Sequence, residues 1–196
     1  MEIDVRCFTG RDVAGRLDEA ARLRITVFRE FPYLYDGTEE AERRYLADHA
    51  ESPRGVLVVA AAAGRVVGVS TGLPLIDADP AFQAPFEDPG SWFYFAESVV
   101  ETEWRGRGIG HRFMDAREEH ARGLGFTRAC FCAVERPDGH PLKPPGYRGN
   151  DDFWSKRGYR RRPDLRARYS WRQVDSGEAE VGNELVFWTR DLAGQM

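Results

Sequence analysis

Cysteine is scarce: Cys7, Cys130 and Cys132 are the only three in 196 residues. None stands in Cys-x-x-Cys spacing, which excludes a disulfide framework and fits a reducing cytoplasm. The histidines, His49, His111, His120 and His140, keep no ligand spacing with one another or with the cysteines, so no metal is expected. Long apolar runs are missing too; Val56 to Ala63 is far too short to cross a bilayer, and no membrane association is expected. The opening Met-Glu-Ile-Asp has neither a basic nor an apolar stretch, so no secretory signal is expected. Positive charge is not in excess. Lys and Arg total 28 against 32 Asp and Glu, a net charge of −4 that argues against a general nucleic-acid binder. Repeats, linkers and low-complexity tails are absent. What is present, 42% hydrophobic and 31% charged residues, suits one domain spanning 1–196 with a substantial core.

Periodicity sets the elements. Ile3, Val5 and Cys7 alternate with polar neighbours as a first strand. Thr9 is placed to cap a helix from about Arg11, whose apolar stripe is Val13, Leu17, Ala21, Ile25 and Phe28. That helix should stop at Phe31-Pro32, because the residue before proline resists helical geometry. An aromatic connector, Arg29 to Gly37, leads to a second helix from Thr38 to about His49. Val56–Ala62 and Arg65–Ile76 read as a hairpin turning at Ala63-Gly64. Asp77 to Gly90 reads as a loop, Arg128 to Val134 as a strand, and Glu135 to Gly149 as a long proline- and glycine-rich loop. A short helix, Asp151 to Arg157, precedes two last strands, Leu165–Val174 and Glu184–Arg190.

The chain is organised around Phe93 to Phe126. Phe93 to Val100 is aromatic and β-branched, as a largely buried strand would be. A polar elbow, Glu101 to Trp104, and the run Arg105-Gly106-Arg107-Gly108-Ile109-Gly110 follow. Ile109, Phe113, Ala116, His120, Ala121 and Leu124 then recur at helical spacing. Glycines let backbone approach a ligand, and the first helical turn offers unpaired N–H groups. With the helix dipole and the Arg105 and Arg107 side chains, the loop favours a phosphate or pyrophosphate. A dinucleotide fingerprint is excluded by His111 in place of glycine, and a P-loop by the absence of Gly-Lys-Ser/Thr.

Arg-x-x-Gly-x-Gly behind a strand ending Ser-Val-Val resembles the acetyl-coenzyme-A signature of the GNAT superfamily of N-acetyltransferases. The inferred order, β-α-α-β-β-β-α-β-α-β-β, is also that of the family. A second local match is Phe153-Trp154-Ser155-Lys156-Arg157-Gly158-Tyr159, similar to the family's Phe-Tyr-x-Lys-x-Gly-Phe segment. The resemblance implies an α/β (α+β) fold with a mixed, mainly antiparallel sheet flanked by helices. It also implies direct acetyl transfer from acetyl-CoA to an amine acceptor, either a small molecule or a peptide, in a ternary complex. A homodimer is compatible with it. The rival readings are a coenzyme-A-binding module without transferase activity and a transferase of a longer acyl group.

By the same resemblance, the pantetheine arm pairs with backbone at Ser98, Val99 and Val100, and an amide near Ser98 polarises the acetyl carbonyl. The pyrophosphate lies over Arg105, Gly106, Arg107, Gly108, Ile109, Gly110 and His111, with Trp154 nearby. Glu97 is the candidate base, burial raising its pKa; the alternative is an ion pair with an arginine. Strand parity turns Glu97 and Ser98 to opposite faces unless a bulge intervenes. The family's acidic tyrosine position holds Trp154, whose indole cannot serve as an acid at neutral pH, so Tyr147, Ser155 or water is the substitute candidate, or the thiolate leaves without an acid. The acceptor should meet the connector residues Arg29, Glu30, Tyr33, Tyr35 and Asp36; for its charges the alternative is a solvated loop. Arg160 to Arg162 with Arg166 and Arg168 read as a solvated edge, and Cys132 as a packing residue.

Overall fold

A computed structural model of the chain describes residues 2–193, with the side chains of Arg11, Ala47, Asp48 and Ala50 outside that description. One sheet runs through it in the order β1-β2-β3-β4-β6-β8-β7, with β5 paired to β3. The strands are β1 Ile3–Thr9, β2 Val56–Ala62, β3 Arg65–Pro74, β4 Phe93–Tyr94, β5 Ser98–Val100, β6 Arg128–Val134, β7 Arg160–Arg172 and β8 Glu180–Asp191. All neighbours are antiparallel except β4 and β6. That parallel pair needs a crossover, which α5, Ile109–Gly123, supplies. The mixed, mainly antiparallel sheet flanked by helices agrees with the expected fold class.

Alternation along β2 explains how both faces are used. Val56, Val58, Ala60 and Ala62 pack with Phe113, Met114 and Ala121 of α5. Leu57 and Val59 point the other way, to Ala20 and Leu23 of α2, Leu17–Phe28, and to Leu46 of α3, Glu39–Glu51. A strand buried on both faces reads as a continuous apolar run. The β2–β3 hairpin turns where expected, with Ala63 at φ 49° and Gly64 at φ 77°.

Several boundaries differ from the sequence reading. The first helix is two pieces, α1 Arg11–Ala14 and α2, broken at Gly15 and at Arg16 with φ −122° and ψ 0°. Thr9 stays in β1, and Gly10 precedes α1 without a side-chain cap. Helix α2 ends at Phe28, before the proline, because the connector folds back and the Tyr35 amide takes the Phe28 carbonyl at 2.8 Å. Within Asp77 to Gly90 lies α4, Pro80–Gln83, capped by Asp79 accepting from the Ala81 amide at 2.8 Å. Strand β7 begins at Arg160, and a register shift between Arg162 and Arg166 accommodates Pro163, which has no N–H to donate. Helix α6 is Asp151–Lys156. Along β7 the arginines are exposed and ion-paired, Arg161 and Arg166 with Glu135 and Arg168 with Glu184.

The main correction concerns the central strand. Phe93 to Val100 is not continuous: β3 pairs Ser70 with Ser98 but Leu73 with Tyr94. Phe95, Ala96 and Glu97 therefore stand opposite only Thr71 and Gly72, which is a β-bulge.

Candidate active site

The bulge sits at a fork in the sheet. Strands β4 and β6 pair through Tyr94 and Cys130, and the last bond between them runs from the Phe95 amide to the Cys130 carbonyl at 2.8 Å. Beyond it β5 follows β3 while β6 follows β8. On the β3 side, the Glu97 carbonyl accepts from Thr71 at 3.1 Å, and the Glu101 amide donates to Val67 at 3.0 Å. Antiparallel pairing alternates, so Ser98 and Val100 turn their N–H and C=O groups to the opposite, open edge. The Val100 carbonyl meets Arg105 Nε there at 3.1 Å.

Arg117 fixes the bulge from below. It is 2% exposed and sits on α5, whose first turn follows the glycine loop. Its Nη1 donates to the carbonyls of Thr71 at 3.1 Å and Glu97 at 3.2 Å, and its Nη2 to Ser98 Oγ at 2.8 Å. The guanidinium rests on the Phe95 ring, 4.4 Å from its centroid. Burial holds its pKa down, to about 10, which still leaves it charged at neutral pH. Sequence reasoning missed this residue; a lone arginine among Phe113, Ala116 and His120 was the available signal.

The glycine loop is shaped for an anion. Gly106 and Gly108 adopt φ 74° and 80°, the left-handed region that favours glycine, and a Cβ at either would meet open space. The first backbone bond of α5 runs from Arg112 to Gly108 at 3.2 Å, and among the described residues the amides of Gly106 to His111 make no backbone bond. No acidic residue occupies the first turn. These donors and the dipole fit a pyrophosphate. The arginine side chains are engaged elsewhere, contrary to expectation. Arg105 pairs with Glu30 at 3.0 Å, and Arg107 stacks on Trp104 at 4.7 Å. His111 and Phe153 meet edge to face at 4.9 Å, which brings α6 beside the loop.

On the other side of the sheet the fork opens into a cavity of about 550 Å³. Ala96, in the bulge, and Cys132, on β6 just past the fork, both line it. So do Tyr33, Tyr35 and Asp36 of the connector, whereas Arg29 and Glu30 do not. Arg29 pairs with Asp36, and Glu30 accepts from Thr102 at 2.9 Å besides pairing with Arg105. The Glu135–Gly149 loop closes over the connector. Arg136 donates to the carbonyls of Pro32 at 2.7 Å and Tyr33 at 3.1 Å, while Phe31 meets Tyr147 edge to face at 4.8 Å. Trp154 packs on Phe131 and Trp188 at 5.0 and 5.2 Å, as a partly buried ring against the core.

Glu97 departs from expectation. The bulge places it on the cavity side with Ala96, not with Ser98, yet it lies behind the lining and is 4% exposed. Arg24 Nη1 is 2.9 Å from its Oε2, and the Tyr45 hydroxyl donates to the same oxygen at 3.3 Å. Burial pushes its pKa up, but Arg24 and then His49 outweigh it, and the net direction is down. The ion-pair alternative describes its surroundings. Cys132, by contrast, is pushed up to about 12 by burial, and its sulfur lies 3.3 Å from the Tyr94 hydroxyl.

A family profile described as acetyltransferase (GNAT) family matches residues 22–142, more than half of the chain. The chain belongs to this family. The glycine loop, fork and aromatic connector all fall inside the match, while the Phe153–Tyr159 segment lies beyond it. Solved structures agree on the fold. An N-acetyltransferase from Staphylococcus aureus Mu50 superposes with TM-score 0.64 at 12% identity, covering 98% of this chain and 99% of that one. A ribosomal-protein-alanine N-acetyltransferase from Brucella melitensis gives 0.63 at 15%, over 96% and 99%. The yncA structure from Salmonella typhimurium, with its cofactor acetyl-CoA, gives 0.60 at 12%, over 100% and 97%. No curated protein matches. For a GNAT member, no described helix is long and apolar enough to cross a membrane, and no described cluster of His, Cys, Asp or Glu could hold a metal ion.

Proposed function

We propose that the protein transfers an acetyl group from acetyl-CoA to an amine in a ternary complex. The observation that carries this reading is the fork: the open backbone edge at Ser98 and Val100 lies between an unpaired amide loop and a cavity open to solvent. Bound there, acetyl-CoA supplies the thioester. The Ser98 amide is the donor for the acetyl oxygen, and Arg117 beneath it adds a buried positive charge where negative charge develops. The amides of Gly106 to His111 seat the pyrophosphate. The amine enters through the cavity and reaches the thioester between Ala96 and Cys132.

Tyr147 is the proton donor for the leaving sulfur. Burial, followed by Asp151, raises its pKa against Arg105, so its hydroxyl stays protonated. Glu97 holds Arg24 and Tyr45 in the cavity wall, and the amine gives its proton to cavity water. Incubating the protein with acetyl-CoA and a panel of amines, and following free thiol and acetylated product together, tests the reading. Product with acetyl-CoA, at rates above those with propionyl- and succinyl-CoA, is expected. Binding of acetyl-CoA without product from any amine would leave a coenzyme-A-binding module instead.

A further inference from the structure

The cavity has two aromatic walls. On one, Phe28, Tyr33 and Trp171 follow one another with centroids 4.4 and 6.1 Å apart. On the other, Tyr94, Phe82 and Tyr169 do so at 5.3 and 5.1 Å. All six line the same space, and they come from α2, the connector, α4, β4 and β7. Aromatic walls of this extent suit a flat apolar body, and their π-faces attract a cation.

Charge around the cavity has a consistent sign. Arg24 lies 5.0 Å from the Phe28 ring centroid and 4.0 Å from that of Tyr45, and is met by both Glu42 at 2.5 Å and Glu97 at 2.9 Å. Arg172 pairs with Asp36 at 3.0 Å, and the exposed Arg44 with Glu40 at 3.3 Å. At the mouth, Glu178 and Glu180 make no ion pair among the described residues, and both line the cavity. Every lining cation meets a carboxylate, while three lining carboxylates, Asp79, Glu178 and Glu180, make no ion pair among the described residues. A carboxylate or phosphate on the acceptor therefore finds no free partner, and an ammonium is drawn in.

We infer that the acceptor is a small primary amine on an aromatic or similarly flat apolar body, carrying no anionic group: an arylalkylamine. The inference rests on the acetyl-transfer reading above. The rings hold the body, and the nitrogen reaches the floor at Ala96 and Cys132. There the nitrogen forms a bond to the acetyl carbon as the carbon–sulfur bond breaks. The ammonium first gives one proton to water; then sulfur takes the electron pair and a proton, the nitrogen loses its second proton, and an amide and a free thiol result. Cys132 takes no part, since its thiol stays protonated at neutral pH. A polycation without a flat apolar body leaves the aromatic walls uncovered, and an amino acid brings a carboxylate that the mouth repels.

The test compares 2-phenylethylamine and tryptamine with phenylalanine, spermidine and kanamycin as acceptors for the full chain with acetyl-CoA. At least a tenfold higher kcat/KM for the two arylalkylamines is expected. Trp171→Leu and Phe82→Leu should each raise KM for tryptamine severalfold while calorimetry shows acetyl-CoA binding unchanged. Comparable turnover of phenylalanine, or a preference for spermidine or kanamycin, would overturn the inference and leave the transferase standing. Absence of any acetyl-CoA heat would overturn the transfer reading itself. Saturable quenching of tryptophan fluorescence by 2-phenylethylamine, measured without cofactor, then decides the pocket alone; no quenching would contradict it.

Discussion

Nη1 of Arg117 lies 3.2 Å from the main-chain oxygen of Glu97, so a side chain of α5 holds the backbone of the central bulge. The same residue reaches Thr71 and Ser98, and no carboxylate lies within ion-pairing distance of it among the described residues. Its charge is spent on carbonyls, a hydroxyl and the Phe95 ring. The helix that begins at the glycine loop is thereby locked to the strand that carries Ser98.

Replacing that guanidinium should separate stability from catalysis. Arg117→Met removes the donors from the bulge, and the unmet polar groups should cost about 1–3 kcal/mol of stability. Arg117→Lys retains charge but loses the planar fork. The lysine variant should recover part of kcat under conditions where both variants are folded. Equal kcat for Met and Lys would make the residue structural only. Denaturant titration with initial-rate kinetics reads both.

Glu97→Gln tests the base directly. An ion-paired carboxylate outside the cavity lining should contribute little to proton removal, so the acid limb of the pH–rate profile should keep its position. A general base would instead lose about a hundredfold or more in kcat. A shifted acid limb would restore Glu97 to that role.

Acid stability depends on the same carboxylate. Its folded pKa is below the ordinary glutamate value, so its contribution is present above that ordinary value and lost as pH falls through the folded value. Thermal melts between neutral pH and the acid range should show wild-type Tm falling faster than that of Glu97→Gln in the acid range alone. Parallel curves would contradict the pairing with Arg24.

Tyr147→Phe keeps the ring that packs on Phe31 and deletes only the hydroxyl. If that hydroxyl protonates the leaving thiolate, kcat should drop and the alkaline limb should move, with acetyl-CoA affinity nearly intact. An unchanged alkaline limb would leave the thiolate to solvent.

How much of this was legible follows from where each feature gets its information. The glycine loop, Arg105 to Gly110, was readable because its backbone demands are local: Gly106 and Gly108 adopt the positive φ that their sequence allows. The hairpin at Ala63-Gly64 was readable for the same reason. The split of Phe93 to Val100 was not, since its register is set by Ser70 and Leu73 of another strand. Glu97 could be seen as a carboxylate in an apolar strand, but its partner Arg24 lies on α2, where helical spacing marked only Val13, Leu17, Ala21, Ile25 and Phe28. The connector tyrosines were visible as an aromatic excess. Their counterparts Phe82, Tyr169 and Trp171 are scattered along the chain and meet only in the fold.

Titration calorimetry of the wild-type protein with acetyl-CoA, beside Gly108→Asp, tests the central claim most directly. Gly108 is at φ 80° with open space where a Cβ would stand, so the aspartate carboxylate would enter the anion seat ahead of α5. Saturable heat for the wild type at ligand concentrations well below millimolar, and its loss in a variant that still melts cooperatively, is the predicted result. No heat from the wild type at near-millimolar acetyl-CoA, or equal heat from both proteins, would contradict the seating of the cofactor at this fork.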